Sequence, residues 1–191
     1  ELARREAGTA YRESISELAR TDPDDQVRQF ALEALGKLDG DPQVALDRLE
    51  NDADPWVRAE AAVTLDRLAR EAHEDRFASL LDDEAEGVRR NALVSVTKIR
   101  GEDAREELLA ALDDRSDRVR EWAVKLLGQF DDPEIERALK AVLDDETEAE
   151  IVRETAARAL GARGDAIEDL LEDGSGTASA DDHMLNRVPD T

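Results

Sequence analysis

Cysteine is absent from this 191-residue chain, which excludes a disulfide framework and thiolate chemistry. Histidine is scarce: His73 and His183 are too few for a multi-histidine metal site within one chain. The sequence has no glycine-rich phosphate loop and no nucleophile elbow. No apolar run approaches the length of a membrane span and no signal peptide opens the chain, so a cytoplasmic location without membrane contact is expected. Aspartate clusters such as Asp22, Asp24 and Asp25 lack the loop spacing and acidic twelfth position of an EF-hand. They read as caps and solvated turns. No catalytic, metal-binding or cofactor-binding residues emerge, and no cofactor is expected.

Lysine is scarce as well. Lys37, Lys98, Lys125 and Lys140 stand against 22 arginines, and 49 acidic residues against 26 basic ones leave a net charge of −23. That balance resembles proteins of salt-loving archaea. High salt screens the self-repulsion of such a chain, so its acidity does not by itself signal a cationic partner.

What the chain has in abundance is repetition. A valine followed by an arginine recurs at Val27-Arg28, Val57-Arg58, Val88-Arg89, Val119-Arg120 and Val152-Arg153, offset by 30, 31, 31 and 33 residues. A period in this range means stacked repeats. Four residues after each valine stands Ala31, Ala61, Ala92, Ala123 or Ala156. Eight residues after it come Leu35, Leu65, Val96, Leu127 and Leu160. At eleven come Leu38, Leu68, Ile99, Phe130 and, breaking the pattern, Arg163. This spacing is one face of a helix. The unvarying alanine marks a close helix crossing, where a larger side chain would force the axes apart.

Four copies place an aspartate five residues before the valine, at Asp22, Asp52, Asp83 and Asp114, while the fifth carries two extra residues after Asp144-Asp145. Aspartate in this position can cap a helix and favour its positive end. Pro23, Pro55 and Pro133 follow aspartates and suit a first helical position. Each arginine (Arg28, Arg58, Arg89, Arg120, Arg153) lies about 100° round from its valine, within reach of an aspartate of the next repeat. The expectation is a structural ladder that sets the stacking register.

With D-x-x-x-x-V-R followed by Ala at four and Leu at eight, on the second helix of a pair of about thirty residues, the chain resembles the HEAT repeat. The likeness is to the short bacterial and archaeal form shared with phycobilisome lyase-like proteins, and it spans residues 9 to 172. It implies an all-α fold: a right-handed α-solenoid of stacked antiparallel helix pairs, about five repeats plus a terminal helix. Function is left open by it, because the superfamily includes scaffolds, chromophore lyases, a metal hydroxylase and DNA glycosylases. HEAT-like deoxyhypusine hydroxylases carry several His-Glu pairs for a di-iron centre. This chain has a single such pair, His73-Glu74, which reads as the beginning of a helix.

In chain order, the opening residues read as the end of a preceding second helix, as if the chain were part of a longer solenoid. Helix pairs are expected at 10–20 with 23–38, 42–51 with 55–70, 73–82 with 85–99, 103–113 with 116–130, and 133–144 with 148–162. A last helix over 165–172 closes the solenoid domain, 1–172. The remainder, 173–191, reads as a flexible tail, with Met184, Leu185 and Val188 as one small apolar face.

The second-helix face turned from the core is the candidate site, and the resemblance places it on the concave surface. At about 100° per residue, positions two, three, six and ten after each valine point outward. They include Phe30, Lys37, Arg67, Arg90, Lys98, Trp122, Lys125 and Arg158, with Val63 and Val94. The five second-helix segments hold 15 basic against 11 acidic residues in a strongly acidic chain, a relatively neutral groove rather than a basic patch. Aromatic and arginine residues dominate interface energetics. The reading is therefore a non-catalytic scaffold or adaptor whose concave face holds a protein or peptide segment. The alternatives are a nucleic-acid-associated, DNA glycosylase-like protein or a lyase-type accessory protein. Nucleic-acid binding normally needs a clear positive field, which disfavours the former.

Overall fold

In the computed structural model, residues 2–164 are described, with side chains described over 9–161. The helix expected at 165–172 and the tail 173–191 lie outside the described residues, and so does the boundary between them. The described chain is all helical. Five consecutive pairs are α1 (Leu2–Thr21) with α2 (Asp25–Lys37), α3 (Pro42–Asn51) with α4 (Pro55–Ala69), α5 (Glu74–Ser79) with α6 (Glu86–Arg100), α7 (Arg105–Ala110) with α8 (Asp117–Leu127), and α9 (Pro133–Asp144) with α10 (Glu150–Gly164).

Two first helices are shorter than their periodicity predicts. Short 3-10 turns flank α5 at Glu71–His73 and Leu80–Asp82, and α7 at Gly101–Ala104 and Ala111–Asp113. His73 thus ends a 3-10 turn directly before α5. At the other extreme α1 runs unbroken from Leu2 to Thr21, where the sequence suggested the end of one helix and the start of another. No proline interrupts that stretch, and a single Gly8 costs a helix too little to break it.

The repeating positions form the core. Val57, Val88 and Val152 are fully buried, as are Ala61, Ala92, Ala123 and Ala156, and Leu35, Leu65, Val96 and Leu127. First helices supply the opposing face, including Val44 and Leu49, Phe77, Leu108, and Ile135 with Leu139. Burying a side chain of this kind contributes about 1.5–3 kcal/mol, so the stack rests on many modest terms.

Second helices pack on one another in succession, α2 on α4, α4 on α6, α6 on α8 and α8 on α10, more closely than the first helices do. Small residues permit this approach: a Cβ on Gly87 would stand 3.1 Å from that of Ala59, and one on Gly128 3.0 Å from that of Ala159. Matching registers, Thr64 Oγ1 donating to the Leu32 carbonyl at 3.1 Å and Asn91 Nδ2 to that of Ala59 at 2.8 Å, show that these helices run parallel. All second helices therefore end at the same edge of the molecule. Gly101, at φ 58°, turns the chain out of α6 in a conformation that favours glycine.

Candidate functional site

The arginine following each core valine makes two kinds of contact. One nitrogen turns back to the loop of its own repeat: Nη1 donates to the carbonyl of Asp22 from Arg28 (2.9 Å), of Asp52 from Arg58 (3.0 Å), of Asp83 from Arg89 (2.8 Å) and of Asp114 from Arg120 (2.8 Å). The other two nitrogens reach forward. Arg28 grips Asp52 through Nε and Nη2 at 2.9 and 2.8 Å, and Arg89 grips Asp114 at 2.8 Å twice. Arg120 grips Glu148 at 2.8 and 2.7 Å. Such two-point pairs match the guanidinium fork to a carboxylate.

Two rungs differ. Arg58 is 4.0 Å from Asp83 and bonds Glu84 at 3.2 Å instead. Arg153, beyond the two extra residues of the fifth repeat, turns its Nε to the Leu143 carbonyl at 3.2 Å. Those extra residues also explain why Glu148, rather than Asp144 or Asp145, receives Arg120.

The repeat aspartates are not the helix caps that their position suggested. Asp22, Asp52, Asp83 and Asp114 each accept the N–H of the residue two ahead, at 2.8 to 3.1 Å, and so close a turn before the helix. The caps of α2 and α4 are Asp24 and Asp54. Ala85 and Ser116 occupy that place before α6 and α8 without a side-chain capping bond. Consequently Pro23 precedes the cap of α2, whereas Pro55 and Pro133 do open their helices.

Charge follows this geometry. Burial pushes the Asp52 and Asp114 carboxyls up, but the arginine bonds and the turn N–H outweigh it and hold both below their usual range. The hydrogen bond from Arg120 does the same for Glu148 against burial. Arg28, Arg89 and Arg120 are correspondingly held above their ordinary values by those bonds.

On the opposite side of the second helices, three predicted residues come together. The Trp122 ring, half-buried on α8, has Arg90 Cζ of α6 at 5.9 Å from its centre and Lys125 Nζ at 4.8 Å. Both distances suit cation–π attraction. Arg90 also donates to Asn91 Oδ1 at 3.2 and 3.1 Å, and Lys125 pairs with the buried Glu121 at 2.9 Å.

The other predicted cations are spread along the face, and most carry partners that the charge count did not anticipate. Lys98 reaches Asp66 at 2.8 Å, Lys37 meets Glu33 at 2.7 Å and Arg158 meets Glu154 at 3.4 Å. Asp66, itself buried, is also held by Arg70 Nε at 2.6 Å. Burial raises its carboxyl, and the bonds from Arg70, Lys98 and Ser95 more than reverse that. Arg67 is exposed and makes no ion pair among the described residues; its stem crosses toward Gly36, where a Cβ would stand 3.5 Å from Arg67 Cδ. Phe30 is exposed on α2, well removed along the stack from Trp122 on α8. Asp66 and Arg70 were within reach of sequence reasoning through their i,i+4 spacing. Glu84 and Glu148 were not, since only the loop geometry selects them.

The described residues contain no group of three or more His, Asp or Glu side chains placed to hold a metal ion, and no helix long and apolar enough to cross a membrane. Fold and ladder together define the class, a solenoid of parallel-stacked helix pairs. Within that class the HEAT repeats family matches residues 42–124 and 105–181, and the chain belongs to it. No curated protein matches the sequence. Among solved structures, human deoxyhypusine hydroxylase in complex with glycerol is similar over 84% of this chain and 79% of that one, at 18% identity and a TM-score of 0.42.

Proposed function

We propose that the chain is a non-catalytic scaffold that holds a segment of another protein on the outward face of its second helices. The observation that carries this reading is Trp122, a large aromatic left partly accessible between Arg90 and Lys125 on the outward face of the second helices. An indole flanked by two cations on an outward face is the kind of anchor from which interfaces draw much of their energy. The second helices set the ring on a rigid element, with small residues at the crossings fixing its height. The two cations hold it upright and add charge that favours an acidic partner.

The test compares partner capture from the native organism's lysate, at native salt, by the unaltered chain, by Trp122→Ala and by Arg137→Glu on the exposed side of α9. Loss of the captured protein with Trp122→Ala alone is the expected result. Equal capture by all three, or loss with Arg137→Glu alone, would move the binding surface elsewhere.

A further inference from the structure

The arginine ladder is open at both ends. From the second repeat to the fifth, Asp52, Asp83, Asp114 and Glu148 each face the arginine of the repeat before. Asp22 of the first repeat accepts the Asp24 N–H at 3.0 Å and makes no ion pair among the described residues. At the other end Arg153 bonds the Leu143 carbonyl and feels Asp145 only at longer range, again without an ion pair among the described residues. One end of the ladder therefore keeps an acceptor and the other a donor of the same rung.

The surfaces around these two groups match in the same way. On the first repeat Tyr11 and Leu18 of α1 are 64% and 44% exposed, and Val27 of α2 is partly so. One repeat on, the same positions meet the preceding repeat: Asp41 pairs with Arg20 at 3.7 Å, Arg48 Nη1 donates to the Arg20 carbonyl at 3.1 Å, and Val57 is fully buried. On the fifth repeat Ala157 is exposed, whereas its counterparts Leu32, Ala62, Leu93 and Val124 are shut off from solvent. A Cβ on Gly36 or Gly128 would approach the following repeat, at 3.5 Å from Arg67 Cδ and 3.0 Å from Ala159 Cβ; one on the equivalent Gly161 would meet nothing within 4 Å. A solenoid that stands alone carries a polar outer face on its terminal repeats. These two faces have instead the make-up of a joint between repeats.

We propose that the two faces join copies of this chain head to tail: Tyr11, Leu18 and Val27 of one copy close on Ala157 and Gly161 of another, and Arg153 reaches Asp22. Such a contact uses two different patches, so it continues from copy to copy instead of closing on a pair. It leaves Trp122 clear of the joint and sets the outward faces of successive copies in one row. Self-repulsion at a net charge of −23 opposes the contact in dilute buffer, and molar salt screens it.

Sedimentation velocity of the full chain in molar salt tests this. The sedimentation coefficient should climb as protein concentration is raised. Leu18→Glu and Ala157→Arg, both at exposed positions, should each abolish the climb, because every contact needs one face of each kind. Mixed in equal amounts, the two variants should form a dimer that grows no further. Asp22→Asn, which keeps the turn acceptor, and Arg153→Gln should each weaken association about two- to fivefold, and both together no more than either alone, as for one shared ion pair. A parent chain that stays monomeric at every concentration, a climb that survives either face substitution, or a mixture that stays monomeric while both variants keep their helicity overturns the proposal. Additive losses from Asp22→Asn and Arg153→Gln overturn the rung. Trp122→Ala should alter none of these results, so failure here leaves capture by the outward face untouched.

Discussion

Arg58 stops 4.0 Å short of Asp83, the aspartate that the repeat assigns to it, and bonds the exposed Glu84 at 3.2 Å. One repeat further on, Arg89 grips Asp114 with two nitrogens, and little of either side chain reaches solvent. The two rungs should differ in energy accordingly. Removing one partner of a buried pair costs about 3–5 kcal/mol, while an ion pair with an exposed acid is worth about 1 kcal/mol or less. Arg89→Ala should therefore lower the urea midpoint far more than Arg58→Ala, and equal midpoints would contradict the ranking.

The middle helix crossing gives a second prediction. Ala92 is fully buried between neighbouring second helices, so Ala92→Leu should destabilise the chain by about 1–3 kcal/mol. Chemical denaturation at fixed salt measures this; an unchanged midpoint would mean that the crossing has room to spare.

Acid should undo the ladder. Asp52, Asp114 and Glu148 have folded-state pKa values below their unfolded ones, so their stabilisation is fully present above the unfolded carboxylate range, about pH 4, and is lost as pH falls through the folded values. Melting temperature should be flat near neutrality and fall steeply below about pH 4. In Asp114→Asn the neutral-pH value should be lower and the acid slope shallower. A variant with the same slope as the parent would remove Asp114 from the account.

Salt should act in the opposite sense. A chain of net charge −23 repels itself, and screening relieves that repulsion. Helicity by circular dichroism should decline in dilute buffer and recover in molar salt. Full helicity and an unaltered melting temperature without salt would set aside the brine reading.

The valine, alanine and leucine positions placed the second helices in the sequence, because burial enforces a helical period wherever side chains meet a neighbour. Flanking turns obey a different rule. Asp22, Asp52, Asp83 and Asp114 have the composition of caps, yet the cap falls two residues later, at Asp24 and Asp54, and a run of aspartates hides which one does which. At the candidate site the common outward placement of Arg90, Trp122 and Lys125 was legible from helical phase alone. The pairing of Lys98 with Asp66 was not, since it depends on how far one helix is rotated against the next.

A stack clamped repeat by repeat is also an elastic body, and its joints are unequally stiff. Two-point grips lock the first repeat to the second through Arg28, the third to the fourth through Arg89 and the fourth to the fifth through Arg120. Between the second and third, Arg58 holds by one nitrogen an acid that is itself in solvent. The ladder therefore grips least at that joint, and Lys98 with Asp66 and Asn91 with the Ala59 carbonyl carry the contact there instead. Lys37 and Arg67 lie on one side of it, and Arg90, Lys98, Trp122 and Lys125 on the other, so this joint is the one that divides the candidate face. The candidate face is thus divided where the ladder behind it is slackest.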